Sequence, residues 1–190
     1  MSVKKDNYKE VQERVNHLSK IIIIPILKGL FPGSEITSLE GLNNSLAHQL
    51  DIDCGADIMM KYEGLVYFIA SRVSEGFNSR KFTIRYVRDT GTETEYFKRK
   101  KAMEKNAVRP KFNIHTYIKG DKITLGLVNS DKLFEFIIEK EKKDELTLTH
   151  LGREGELGGA SFIEIGWDEL NETGIKVIEI NTELDKLYEN

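Results

Sequence analysis

Apolar residues recur along this chain first at helical and then at strand spacing. Val11, Val15, Leu18 and Ile22 share one helical face, which predicts an amphipathic helix from about Asn7 to Pro25 or just beyond, ended by Phe31-Pro32-Gly33. Leu39, Leu42, Leu46 and Leu50 follow candidate caps at Thr37 and Ser38 and predict a second helix. The period then changes. Ile58 to Tyr62, a Glu63-Gly64 turn and Leu65 to Val73 read as a β-hairpin, with Asp51, Asp53 and Asp57 before or at the opening of its first strand. Lys81 to Arg88 alternates as a half-buried third strand, Phe82, Ile84 and Tyr86 on one face and Lys81, Thr83, Arg85 and Val87 on the other.

Thr92-Glu-Thr-Glu95 fits a capping box, and the acids there followed by Lys98, Arg99, Lys100 and Lys101 match the polarity of a helix running to about Asn106. Phe112 to Ile118 and Lys122 to Val128 form a second predicted hairpin through Lys119-Gly120-Asp121. Ser130 then caps a helix carrying Leu133, Phe134, Ile137 and Ile138. Short strands near Leu146 to Thr149, Ser161 to Ile165 and Lys176 to Ile180 complete the pattern, with Trp167 closing the core at a short helical turn. This order is α+β, without regular βαβ alternation. Gly152, Gly155, Gly158 and Gly159 lead into a strand, whereas a phosphate cradle needs its glycines between strand and helix, so a nucleotide-binding loop is not expected there.

The chain has 190 residues, 39% hydrophobic and 31% charged, which fits one globular domain and excludes disordered and collagen-like classes. The longest apolar run, Ile21 to Leu27, is far short of the ~20 residues that span a bilayer, and neither a signal peptide nor a membrane partner is expected. A single cysteine, Cys54, has no partner for an internal disulfide, and a cytoplasmic location follows as the expectation. Net charge is −3, but the average hides segregation: Arg80 to Lys111 holds eleven basic and four acidic residues, and Asp131 to the C-terminus seven basic and sixteen acidic. Arg85, Arg88, Lys98, Arg99, Lys100 and Lys101 are therefore candidates for contact with nucleic-acid phosphates.

Candidate chemistry concentrates in Asp57 to Arg72, where an acid opens one strand of the hairpin and a cation closes the other. Pairing of the strands brings Asp57 and Arg72 together, and alternation puts Val66, Phe68, Ala70 and Arg72 on one face. A carboxylate that holds Mg²⁺ beside a cation that stabilises developing charge suits phosphodiester hydrolysis; the same pair also suits a structural salt bridge. On this hairpin and the order of elements around it, the chain resembles the PD-(D/E)XK superfamily of nucleases. The resemblance implies a restriction-endonuclease-like core of a helix, a three-stranded antiparallel meander, a helix and further strands. The resemblance covers roughly residues 40 to 120; with the helical pattern before it and the acidic third after it, the chain reads as a single domain of N-terminal helices over 1–50, the nuclease-like core over 51–128, and an acidic C-terminal α/β extension over 129–190.

By that resemblance Asp57 is the first metal-binding acid and Arg72 the catalytic cation. Ala70-Ser71-Arg72 stands where the family has Asp or Glu, any residue, and Lys. Alanine ligates no metal and arginine does not accept a proton at neutral pH, so a second carboxylate must come from elsewhere, with Asp51, Asp53, Glu75 and Glu40 as candidates. Asp51 to Asp57, Gly64 to Val73, Phe82 to Tyr86 and Thr92 to Lys100 also look like segments of uncharacterised phage and prophage proteins. The implied function is a nuclease-like nucleic-acid-binding protein using Mg²⁺. The alternatives are a nonenzymatic phage or prophage regulator or inhibitor that binds a protein partner, and an acidic surface mimicking nucleic acid.

Other constellations read as structural. Asp51, Asp53 and Asp57 lack the glycine of a calcium loop, and Tyr62 stands where its closing glutamate belongs. His48, His115 and His150 are scattered, with His115 expected to point outward beside Asn113 and Tyr117, and Cys54 has no evident base. The tyrosines Tyr62, Tyr67, Tyr86, Tyr96 and Tyr117 are expected as strand and core partners before base-stacking platforms.

Overall fold

The computed structural model describes residues 14, 17–39, 50, 55–76, 78–88, 90–151 and 159–187. Asp51, Asp53 and Cys54, Glu40, His48 and most of the expected second helix lie outside them.

The first apolar run is helical, as a π-helical turn Ser19–Ile23 leading into α1 (Ile24–Leu30) with Pro25 in its first turn, where a missing N–H costs nothing. The next residues depart from expectation. Thr37 and Ser38 cap no helix; they belong to strand β1 (Glu35–Ser38), which pairs antiparallel with β2 (Ile58–Tyr62). β2 turns through Glu63 and Gly64, at φ 50° and 77°, into β3 (Leu65–Glu75), forming the expected hairpin.

The expected meander does not form. β4 (Lys81–Arg88) leaves the hairpin, and the second half of β3 pairs instead, in parallel, with β5 (Phe112–Lys119). Gly76 and Arg80, at φ 91° and 47°, redirect the chain between β3 and β4. The segment from there to β5, containing β4 and α2 (Glu95–Glu104), is the long crossover that a parallel pair requires. β6 (Lys122–Asn129) and β9 (Ile178–Glu183) complete a six-stranded sheet of order β1-β2-β3-β5-β6-β9. β4 pairs with β8 (Ala160–Gly166), and β8 with β7 (Leu148–Leu151), in a separate three-stranded sheet. Its alternation gives the reason: Phe82 and Ile84 join Ile163 and Ile165 of β8 in one core, an apolar match the polar face of β3 does not offer.

Two caps also differ. Asn129, not Ser130, caps α3 (Ser130–Lys142) by accepting from the Lys132 amide. The Thr92–Glu95 capping box is absent; Thr94 is the first flanking residue of α2, and its hydroxyl donates to the Tyr86 carbonyl. Trp167 opens the short helix α4 (Trp167–Glu172) and is buried, as its position suggested.

Period-two alternation divides the large sheet into two faces. Ile58, Met60, Ile69, Ile114, Ile123, Leu125 and Leu127 pack under the N-terminal helices. Ala70, Arg72 and Ser74 of β3, with Asn113, His115 and Tyr117 of β5, lie on the opposite face, under β4. His115 is thus 2% exposed and Asn113 and Tyr117 are buried too, correcting the outward orientation expected for them. The result is mixed α+β, with mostly antiparallel strands and few helices. Among the described residues no helix is long and apolar enough to cross a membrane.

Candidate functional site

A cavity of about 180 Å³ lies between β4 and the polar face of the large sheet. Its walls include Asp57, Ala70, Arg72, Thr83, Arg85, Glu95, Asn113 and His115. Asp57 directly precedes β2, and its amide donates to the Ile69 carbonyl, continuing the β2–β3 ladder by one bond. That fixes the side chain, whose Oδ2 accepts from the Ser71 amide at 2.5 Å. The next residue, Arg72, projects into the cavity, where one guanidinium nitrogen lies 3.3 Å from Thr83 Oγ1 and the other 3.4 Å from Glu95 Oε2.

Glu95 is the acid that sequence reasoning missed. It opens α2, and the local pattern that marks it as a capping partner carries no sign that its side chain reaches Arg72 of β3. Of the proposed migrated acids, Glu75 is excluded by position. It sits four residues beyond Ser71, ~13 Å along an extended strand, and pairs at 2.8 Å with Arg14. Glu40, Asp51 and Asp53 lie outside the described residues.

Aromatic rings organise the guanidinium groups. Arg72 and Arg85 lie 5.1 and 5.6 Å from the Phe162 ring centroid, close enough for cation–π attraction to hold both cations on one platform. A β-bulge between Arg85 and Val87 changes the faces downstream. Strict alternation sets Arg88 opposite Arg85, but in the structure both line a second cavity beside Phe162.

The basic helix is used differently from the expectation. Arg99 is 2% exposed; it donates to the Pro110 carbonyl and Ser130 Oγ and lies 5.3 Å from the Phe134 ring. Ser130 in turn donates to Asn113 Oδ1 at 2.7 Å, so Arg99 braces the cavity wall from behind and is no surface phosphate contact. Lys100 is bound to Glu141 at 2.7 Å, Lys101 lies 3.8 Å from Glu93, and Lys98 is half-buried. Arg80 likewise clamps Asp168 and Glu179, Lys81 holds Glu164 and Arg109 holds Asp131, so much of the basic centre meets the acidic C-terminal third within the molecule. Arg72 and Arg85 line the first cavity, and Arg85 and Arg88 line a second.

His115 sits against this cluster as a neutral ring. Burial, then the nearby Arg72 charge, push its pKa down to about 3, while a hydrogen bond to the Lys81 carbonyl opposes them. Its Nε2 is 2.9 Å from Ser74 Oγ, and its ring stacks on Tyr117 with centroids 4.4 Å apart. His150 is exposed, beside Ser161.

Among the described residues no three metal-ligating side chains cluster. Mg²⁺, however, is commonly held by one or two carboxylates, with water and substrate phosphate oxygens completing its octahedron. Asp57 and Glu95, on separate segments of the chain, both line the cavity and are the carboxylates among its described lining residues. No family model matches the chain, and comparison with curated proteins finds no match.

Proposed function

We propose that the inter-sheet cavity binds a phosphodiester group and that the protein is a nuclease-like, Mg²⁺-dependent hydrolase of nucleic acid. One observation carries this reading: Asp57 before β2, Arg72 of β3, Arg85 of β4 and Glu95 of α2 converge on a single cavity too small for a whole nucleotide but suited to a phosphate. Asp57 and Glu95 would hold the ion, which when bound supplies Lewis acidity and lowers the pKa of a coordinated water. Arg72 and Arg85 bind non-bridging oxygens and stabilise the charge that develops on them, a role guanidinium performs through planar, fixed donors. Arg72 does not act as base. His115, neutral at physiological pH, adds no charge to compete with these contacts.

The nuclease-like core is proposed here in a modified form, with the hairpin acid retained and the second carboxylate moved to the helix after β4. A second reading, binding without turnover, draws on the contact that already joins Glu95 to Arg72 and on Ala70, which offers no ligand. In it the protein is a nonenzymatic regulator of phage or prophage type that engages nucleic acid or a protein partner.

Incubating the protein with plasmid, single-stranded DNA and RNA in Mg²⁺, Mn²⁺ or EDTA separates the two. Hydrolysis is expected to need the metal and to fall at least ~100-fold in Asp57→Ala and Glu95→Gln. Cleavage that survives EDTA or Asp57→Ala overturns the metal mechanism, and binding without cleavage leaves the nonenzymatic reading.

A further inference from the structure

Arg85 lines two cavities of opposite character. The first holds the carboxylates; the second, about 270 Å³, is walled by Arg85, Arg88, Thr90, Leu151, Ala160 and Phe162, with no acid among the described residues that line it. It is cationic along β4 and apolar along β7 and β8. The bulge in β4 creates it, because without that shift Arg88 would face away from Arg85. Leu151 is 59% exposed at its rim and belongs to none of the hydrophobic cores among the described residues.

Each cavity is smaller than the ~300–1,000 Å³ of sites that enclose a whole small molecule. A polymer crossing Arg85 would therefore fill them with different parts, a phosphate beside Asp57 and Arg72, and the adjoining sugar and base beside Arg88 and Leu151. A duplex presents phosphates and base edges but keeps its base faces stacked. An apolar wall bordered by guanidinium planes gains most from a base face, which only an unpaired nucleotide exposes.

We propose that the Arg85–Arg88 cleft is a subsite for an unpaired nucleotide, and that single-stranded nucleic acid is the class of substrate. The inference rests on the reading of the first cavity as a phosphodiester site. Binding in EDTA tests it apart from hydrolysis. A labelled single strand of about 12 nucleotides, within the usual range of single-strand sites, and the blunt duplex of the same sequence are titrated at low salt by fluorescence anisotropy. The wild type, Arg88→Ala and Leu151→Ser are compared; both side chains are exposed, so the variants keep the fold.

The wild type is expected to bind the single strand at least ~10-fold more tightly than the duplex, and each substitution to weaken single-strand binding about fivefold without changing duplex binding. Equal affinity for the two forms, or an equal loss on both in Arg88→Ala, overturns the subsite and leaves the phosphate cavity standing. A single-strand preference untouched by either substitution also overturns it, by placing the strand elsewhere. No binding to either form at low salt overturns the phosphodiester reading and this inference together.

Discussion

At the scale of single residues, His115 shows how the candidate site constrains stability. An unfolded histidine titrates near 6.5, whereas the buried ring titrates at about 3 because solvent is excluded and the Arg72 cation stands beside it. Between those values the unfolded chain binds a proton that the folded chain refuses, so stability falls as pH drops through that window, by up to ~1.4 kcal/mol per pH unit. The groups facing the ring are Arg72 from β3, the Lys81 carbonyl from β4, and Tyr117 and Ser74, none of which supplies a compensating negative charge. His115→Gln removes the proton site while keeping a polar group near Ser74. Urea denaturation between about pH 6.5 and 4.5 should show the wild type losing ~2 kcal/mol more than this variant. Parallel losses in the two proteins would mean that His115 does not stay neutral in the fold.

At the scale of elements, legibility in the sequence tracked how local the determinants were. The Asp57–Arg72 hairpin was readable because alternation and a Glu63-Gly64 turn fix its register within a short span, and both ends do reach one cavity. The partner of Lys81 to Arg88 was not readable, since pairing with β8 depends on apolar residues some eighty positions later. Neither the β4 bulge nor the arrival of Glu95 has a local signature, and β1 is short and offers no strong alternation. Charge order misled for a related reason. Arg99 lies in a basic run, but the fold buries it against Phe134 and Ser130, which only tertiary packing decides.

The hairpin also carries an element-level prediction. Glu63 and Gly64 both adopt positive φ, the geometry of a type I′ turn, in which asparagine is favoured at the first position and glutamate is strained. Glu63→Asn should stabilise the protein by about 0.5 kcal/mol and leave the proposed Mg²⁺-dependent hydrolysis unchanged, because the turn lies at the end of the hairpin away from Asp57. Thermal unfolding midpoints measure the gain; a lower midpoint would show that Glu63 is held by interactions stronger than its backbone preference.

At the scale of the whole molecule, the site exists because two sheets meet, and the meeting is held at Trp167 and Arg80. Trp167 is 1% exposed; its amide donates to the Arg80 carbonyl, and its indole packs on Phe82 and Tyr117, linking β4, β5 and α4. The indole lies directly on the backbone of β6 at Gly126, where an added Cβ would fall 2.4 Å from its Cζ2. Glycine is needed there for close approach, with an ordinary strand backbone around it. Gly126→Ala must displace a fully packed ring that has little room to yield, at a cost of about 1–3 kcal/mol. The displacement should reach the candidate site, because Trp167 touches Tyr117 and Phe82, Phe82 lines the cavity, and Tyr117 stacks on His115. Gly126→Ala is therefore expected to lower the unfolding midpoint, shift Trp167 fluorescence, and reduce the proposed phosphodiester hydrolysis although the residue is outside the cavity lining. Trp167→Phe combined with Gly126→Ala should recover part of the stability, since the smaller ring makes room for the methyl group. Without that recovery, the loss would have to arise within β6 itself, and the packing of Trp167 would not be what sets the spacing of the sheets.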